Sequence, residues 1–119
     1  MHEFSIAQSI TKTLKEKYSE EFLDLKSIHL EIGIFSGVVI DSLQFNLEMV
    51  LQSEKLNNVN IIINKKVGLA QCKCGHQYSL KNMLDSCPQC RSLDRKLLSG
   101  MDITIDSIEV KEMGETNQQ

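Results

Sequence analysis

The chain has 119 residues, 41% of them hydrophobic, and a formal net charge of −3. This length allows one domain with a hydrophobic core and a small satellite, but not two large domains. The acidic balance argues against a general nucleic-acid binder, which carries a basic excess on one face. The sequence contains neither an apolar run near the roughly 20 residues of a membrane helix nor a signal peptide, so we expect a cytoplasmic protein with no membrane partner.

The first third of the chain predicts a helix and then a strand. Apolar residues between Phe4 and Tyr18 recur at helical spacing, which predicts an amphipathic helix that begins within a few residues of Met1. The segment SIHLEIGIF, residues 27–35, alternates apolar and polar side chains. This period of two predicts a half-buried strand.

A second helix and a second strand are expected before the cysteines. Asp41 can cap a helix over DSLQFNLEMVLQSE, residues 41–54, with Gln44 placed for reciprocal capping. The segment VNIIINKK, residues 59–66, reads as the strand. A strand, a helix and a strand in this order indicate a parallel pair with a right-handed crossover.

Four cysteines fall within 19 residues, in CKCGHQYSLKNMLDSCPQC, and the other 100 residues contain none. Two close pairs separated by twelve residues give four thiolates that can converge tetrahedrally on zinc at about 2.3 Å. Cytosolic thiols stay reduced, which favours metal ligands over disulfides. We therefore predict a structural zinc site at Cys72, Cys74, Cys87 and Cys90.

Two details of this segment leave alternatives open. The first pair is C-x-C, one residue tighter than a usual zinc knuckle, so His76 could supplement or replace a thiolate, although a solvent-facing loop histidine is the favoured interpretation. The second pair, Cys87-Pro-Gln-Cys90, has the form found in thiol-disulfide exchange proteins, but it follows a polar loop rather than a strand. The segment from Gln71 to Leu98 contains five basic and two acidic residues, a small positive excess that gives little support to nucleic-acid binding.

After the cysteines, MDITIDSIEVKE, residues 101–112, predicts a third strand whose alternation changes phase, which indicates a bulge near Asp106 or Ser107. The strands that flank the cysteine segment would then pair antiparallel. We expect an α+β fold: a small mixed three-stranded sheet packed against two helices, with an inserted zinc-ribbon-like module. The expected domains are residues 1–69 plus 100–112 and the module at residues 70–99, followed by a mobile tail at residues 113–119.

The N-terminus offers a set of nitrogen donors to nickel. The amine of Met1, the imidazole of His2 and the amides of His2 and Glu3 lie close enough along the chain to chelate one Ni(II) ion in square-planar geometry. The first N–H groups of a helix have no intrahelical acceptor, so deprotonating them breaks no helical hydrogen bond. The residues alone nevertheless favour a frayed terminus with an idle histidine.

From residue 1 to about residue 112 the chain resembles the HypA/HybF family of hydrogenase nickel incorporation proteins. The resemblance rests on Met1-His2-Glu3, on EIGIFSGV at Glu31 to Val38, on the two cysteine pairs and on SIEV at Ser107 to Val110. It departs from the family in the C-x-C pair and in Arg91, where the family commonly has glycine.

This resemblance implies a nickel metallochaperone that is not an enzyme. Nickel, the cargo, would bind at Met1, His2 and Glu3, and structural zinc at the four cysteines. The implied partners are a HypB-type GTPase and the large subunit of [NiFe]-hydrogenase, and in some bacteria the urease maturation proteins. A zinc-ribbon adaptor that binds protein or nucleic acid is the alternative, and a thiol-disulfide oxidoreductase using Cys87 and Cys90 is a distant third.

Overall fold

A computed structural model describes residues 2–112 of the chain. Met1 and the expected mobile tail at residues 113–119 lie outside the described residues. The elements, in chain order, are α1 Glu3–Lys17, β1 Leu25–Gly33, α2 Ile40–Ser53, β2 Asn60–Lys66, β3 Gly68–Cys72, β4 Gln77–Leu80, β5 Arg95–Ser99 and β6 Ile103–Val110, with a 3-10 turn at Phe22–Asp24 before β1. The α+β fold with two helices is confirmed.

Both helices lie where the apolar spacing predicts them. The inner face of α1 carries Ala7, Ile10, Thr11 and Leu14, and that of α2 carries Leu43, Leu47 and Leu51. The predicted N-cap Asp41 is wrong, because α2 begins one residue earlier and its N-cap is Val39, which has no capping side chain. Within residues 2–112, neither helix is long and apolar enough to cross a membrane.

The first sheet has the strand order β2-β1-β6. Hydrogen bonds at the two ends of β1 show in which direction each neighbouring strand runs. Gly33 N–H donates to Asp102 O and Lys111 N–H donates to Asp24 O, so β1 and β6 are antiparallel. Ile34 N–H donates to Lys66 O, which joins the carboxyl ends of β1 and β2 and makes this pair parallel. The mixed sheet is confirmed, but the expected pairing of β2 with β6 is wrong because β1 lies between them.

The second sheet, of order β4-β3-β5, was not predicted strand by strand. β3 pairs antiparallel with β4, from Gly68 opposite Leu80 to Gln71 opposite Gln77. β3 also pairs antiparallel with β5, with a register shift between Leu69 and Ala70. These three short strands form the frame that holds the cysteine turns.

The described residues form two compact units. The first contains residues 2–30, 38–62 and 105–112, including both helices, and buries Leu14, Ile28 and Leu47 completely. The second contains residues 31–37 and 63–104. Its core consists of Ala70, Cys72, Tyr78, Leu80 and Cys87, with Phe35 and Leu97 packed against it. The functional division into residues 1–69 plus 100–112 and residues 70–99 stays a prediction.

Within the second unit, residues 33–35 are bonded to both segments that lead into and out of the cysteine region. Phe35 N–H donates to Gly100 O at 2.8 Å, next to the bonds that Gly33 and Ile34 make. Gly100 has a φ of +115°, and a Cβ there would lie 2.7 Å from the Cα of Gly68. Two segments of backbone therefore approach so closely that only glycine fits at this point.

Candidate metal sites

The four cysteines converge in the second unit. Their sulfur atoms all lie within 4.8 Å of one another. The sulfurs of Cys72 and Cys90 are 3.1 Å apart and those of Cys74 and Cys87 are 3.8 Å apart. Sulfurs at about 2.3 Å from a tetrahedral zinc stand about 3.8 Å from each other, whereas a disulfide bond is about 2.05 Å long. The cluster has the composition and spacing of a closed zinc site.

The second cysteine turn is built as a zinc knuckle. Arg91 N–H donates to Cys87 O at 2.8 Å, and Cys87 N–H donates to Ser92 O at 3.0 Å, so the chain closes on itself around the pair. Gln89 N–H points at the Cys87 sulfur, 3.4 Å away. Such N–H groups stabilise a thiolate because they place positive charge against the sulfur.

The first cysteine turn repeats this pattern with one residue removed. Gly75 N–H donates to Cys72 O, and Cys72 N–H donates to His76 O, both at 2.9 Å. Each bond spans one residue fewer than its counterpart in the second turn. The C-x-C spacing therefore shortens the knuckle, and its cysteines still reach the cluster.

A left-handed residue follows the last cysteine of each turn. Gly75 has a φ of +94° and Arg91 has a φ of +62°. Glycine adopts this conformation without strain, whereas an L-residue with a Cβ does not. Arg91 therefore adopts, at a cost in backbone strain, the conformation that Gly75 adopts freely in the first turn.

The protein environment separates the pKa values of the two buried thiols. Burial raises the pKa of Cys87, but N–H groups of Cys90 and Gln89 and the neighbouring thiols outweigh it and lower the pKa to about 7. For Cys72 the Cys74 N–H favours the thiolate, yet the Cys90 thiol and burial together raise the pKa above its ordinary value. Cys87 is therefore the more readily ionised of the two thiols and the more available to a metal.

His76 lies beside the cluster without joining it. The group of possible metal ligands in the described chain contains the four cysteines. The His76 ring instead lies parallel to the ring of Tyr78, at 6.4 Å between centroids and 7° between planes. The geometry favours four sulfur ligands over a mixed set. Tyr78 shares the core of the second unit with Cys72 and Cys87, and its buried hydroxyl has no hydrogen-bond partner among residues 2–112.

The second predicted site is the start of α1. His2 is exposed and is the N-cap of the helix, and its carbonyl accepts the first helical bond from Ile6 N–H at 3.0 Å. Glu3 turns back across the first unit, where its carboxylate accepts the N–H of Val39 at 3.1 Å. That bond holds the pKa of the Glu3 carboxyl below its ordinary value. His2 and Glu3 thus stand at a fixed helix start.

Both candidate sites lie within the part of the chain that matches a known protein family. The family described as "Hydrogenase/urease nickel incorporation, metallochaperone, hypA" matches residues 1–110, which include the N-terminal tripeptide and all four cysteines. The chain belongs to the HypA family. The resemblance noted from the sequence is therefore confirmed.

Curated members of the HypA family match the chain over nearly its full length. The hydrogenase maturation factor HypA of Parabacteroides distasonis is 34% identical over 113 residues, covering 93% of this chain and 98% of the relative. That of Chlorobium luteolum is 32% identical, covering 97% of this chain and all of the relative. The solution structure of the nickel metallochaperone HypA from Helicobacter pylori is 19% identical, with a TM-score of 0.66 over 92% of this chain and 97% of that one. The HypA fold is thus shared.

Two contacts in these sites were missed by sequence reasoning. The bond from Val39 N–H to Glu3 joins residues 36 positions apart, and no local pattern signals it. The guanidinium of Arg95 bonds three backbone carbonyls in the loops beside the cysteine turns, those of Met83, Asp85 and Leu93. A basic residue at the start of a strand gives no hint of such a role.

Proposed function

We propose that this chain is a nickel metallochaperone that binds Ni(II) at its free N-terminus and delivers it for maturation of [NiFe]-hydrogenase. The observation that carries this proposal is the family match over residues 1–110. That match includes the nitrogen-rich start of α1 and the thiolate cluster in one chain. It also makes the idle N-terminus, the favoured interpretation from the residues alone, the weaker one.

Nickel would be held by the amine of Met1, the imidazole of His2 and the backbone amides of His2 and Glu3. These amides belong to the first turn of α1, where N–H groups have no acceptor within the helix. Their deprotonation leaves the helix intact, and the positive end of the helix dipole favours the resulting anions. Because these ligands must lose protons to bind, acid would favour nickel release.

The Glu3 carboxylate makes a hydrogen bond that holds the start of α1 in place. One of its oxygens accepts the Val39 N–H, at the N-cap of α2, so the first turn of α1 is tied to the first turn of α2. The backbone amide of Glu3 is thereby held at a fixed position for nickel. We therefore assign Glu3 a backbone ligand role and a positioning role for its side chain.

Zinc would be structural and bound by Cys72, Cys74, Cys87 and Cys90. Two of these residues, Cys72 and Cys87, belong to the core of the second unit, so the metal would complete that core. A structural zinc site of this kind contributes folding energy directly. The zinc module would serve as a docking surface in a carrier protein that catalyses no reaction.

The partners that follow from this role are a HypB-type GTPase and the hydrogenase large subunit, with urease maturation proteins as further recipients. The cytoplasmic location expected from the sequence is part of the same proposal. A redox function of Cys87 and Cys90 is less well supported, because both sulfurs lie in a four-sulfur cluster rather than in an isolated pair.

Native mass spectrometry with nickel and zinc on the untagged chain tests the proposal. His2→Ala should lose nickel and keep zinc. His29→Ala is the matched control, because His29 lies in the same unit and pairs with Glu109 at 3.2 Å, and it should keep both metals. Equal nickel binding by all three proteins would refute the N-terminal site and favour the zinc-ribbon adaptor.

A further inference from the structure

Residues 81–94 carry the second cysteine pair, and they join β4 to β5 without a helix or strand of their own. The first pair differs, because Cys72 ends β3 and is held by the second sheet. A zinc site needs the two pairs at a fixed separation, since four sulfurs must stand about 2.3 Å from one ion. The site therefore depends on the contacts that place residues 81–94 against the sheet.

The part of this segment that precedes Cys87 is a closed loop. The Asp85 carboxylate accepts the N–H groups of Lys81 and Asn82, at 3.2 and 3.1 Å. The Asn82 side-chain oxygen accepts Leu84 N–H at 2.8 Å. Because these bonds lie within the loop, they fix its shape and not its position on the sheet.

The part of the segment that follows Cys90 is bonded to the sheet at its end. The Ser92 hydroxyl accepts Asp94 N–H at 3.0 Å. The Asp94 carbonyl in turn accepts Lys73 N–H at 3.1 Å, and Lys73 directly follows Cys72. This bond anchors the far end of the segment, and the loop before the second cysteine turn needs a contact of its own.

Arg95, the first residue of β5, makes that contact. Its backbone lies opposite Cys72 in the pairing of β3 with β5. Its guanidinium donates to three backbone carbonyls, that of Asp85 at 2.8 Å, that of Leu93 at 3.4 Å and that of Met83. One half-buried side chain thus bonds both the loop before the second cysteine turn and the segment after it.

We propose that Arg95 is a positioning residue for zinc, because it sets the separation of the two cysteine pairs. Asp85 lies two residues before Cys87, and Leu93 lies three residues after Cys90, so the guanidinium holds both flanks of the second turn beside the first. Its N–H donors form a rigid planar fork that cannot lose its charge.

The bonds of the guanidinium go to the protein backbone, so they order the loops before a metal binds. A site that is already ordered loses less conformational entropy on binding. Arg95 therefore raises zinc affinity without being a ligand. This proposal rests on the zinc site of the proposed function.

Zinc affinity and the visible spectrum of the cobalt-substituted chain test the proposal. Arg95→Met keeps an apolar stem and removes every donor, so in competition with a chromogenic chelator the zinc Kd should rise about tenfold, equal to about 1.4 kcal/mol. Co(II) absorption reports the geometry of the sulfur ligands, and its bands should weaken and shift in the variant. An unchanged cobalt spectrum would assign Arg95 to stability alone and overturn the proposal, whatever the zinc Kd.

Lys96→Met is the matched control. Lys96 is the next residue of β5, is exposed and lies opposite Gln71, so its side chain points to the other face of the sheet. Its removal should leave the zinc Kd and the cobalt spectrum unchanged. An effect as large as that of Arg95→Met would mean that any lost cation weakens the site, which would overturn the proposal.

Arg95→Lys keeps the test decisive where Arg95→Met does not fold. Lysine keeps the charge, but its single ammonium cannot span three carbonyls, so the zinc Kd should rise about threefold and the cobalt spectrum should change partly. Wild-type values for a folded Arg95→Lys would overturn the proposal.

The unmodified chain separates a failure of this proposal from a failure of the zinc site. If it binds neither zinc nor cobalt, the zinc assignment and the role of Arg95 are both wrong. If it binds both metals and the Arg95 variants match it in affinity and spectrum, the role of Arg95 alone is wrong. Nickel titration of the same samples reports on the N-terminal site independently.

Discussion

Replacement of Arg91 by glycine should stabilise the zinc site. Arg91 occupies the left-handed region, with φ +62°, at the position where the first turn has Gly75. Its N–H donates to Cys87 O, so its conformation is fixed by the closure of the turn. Its side chain is exposed, and its removal sacrifices little packing.

The size of the effect follows from two opposing terms. A left-handed L-residue costs about 1–2 kcal/mol relative to glycine in the folded state. Glycine gives the unfolded chain more freedom, which costs about 0.5–1 kcal/mol. The net gain is about 0.5–1 kcal/mol. Because zinc binding and folding of a small metal site are coupled, the zinc Kd should fall about two- to fivefold.

Competition with a chromogenic chelator measures the zinc Kd, and thermal unfolding measures the stability. Arg91→Ala is the first control, since it removes the same side chain but keeps the Cβ and should give no gain. Lys55→Gly is the second, because Lys55 has a φ of +68° in the first unit and its replacement should raise stability without changing zinc affinity. An unchanged or weaker zinc affinity in Arg91→Gly, or an equal gain in Arg91→Ala, would refute the reasoning.

Three further predictions concern single side chains. Tyr78→Phe removes a buried hydroxyl that has no partner in the described part of the chain, so it should raise the free energy of unfolding by about 1 kcal/mol, measured by urea denaturation; a decrease would contradict this. Cys87→Ser should release zinc, seen by mass spectrometry, while the α1 and α2 helical signal in circular dichroism persists. The Ser27 hydroxyl and His29 lower the pKa of the Glu109 carboxyl. At neutral pH the unmodified chain should therefore have a higher free energy of unfolding than the Glu109→Gln variant, and this difference should disappear as the pH falls through that pKa.

The helices and the strands of the first sheet could be predicted because their signal is local. Ile28, Leu30 and Ile32 alternate in the sequence and are buried in β1. In β6 the half-buried residues are Ile103, Ile105 and Ile108, which reproduces the predicted change of phase, while the bulge itself stays a prediction. Periodicity of this kind reports which face of an element is buried.

The strand order and the N-cap of α2 could not be predicted because they depend on distant contacts. β1 lies between β2 and β6 through bonds such as Lys111 N–H to Asp24 O, which join segments far apart in the sequence. Asp41 has the chemistry of a cap, but it lies inside α2, whose N-cap is Val39. The Val39 N–H bonds the Glu3 carboxylate, 36 residues away, and no local pattern signals this contact.

The convergence of the four cysteines follows from their spacing and is confirmed. The strands β3, β4 and β5 that support them are only four or five residues long, too short to leave a clear pattern. The left-handed conformation of Arg91 was not predicted from the sequence, where the signal was limited to the glycine that the resemblance implies at this position. The assignment of nickel to Met1, His2 and Glu3 stays a prediction, and it rests on the family match together with the chemistry of the chain terminus.

Nickel titration of chains that differ only in where residues are added tests the central claim most directly. One chain carries Gly-Ser-Gly before Met1, and its control carries the same three residues after Gln119. The N-terminal addition moves the terminal amine away from His2 and turns the Met1 amine into an amide, so nickel binding should be lost while zinc is retained. The control should bind nickel as the unmodified chain does. Equal nickel affinity of the two extended chains would contradict the account.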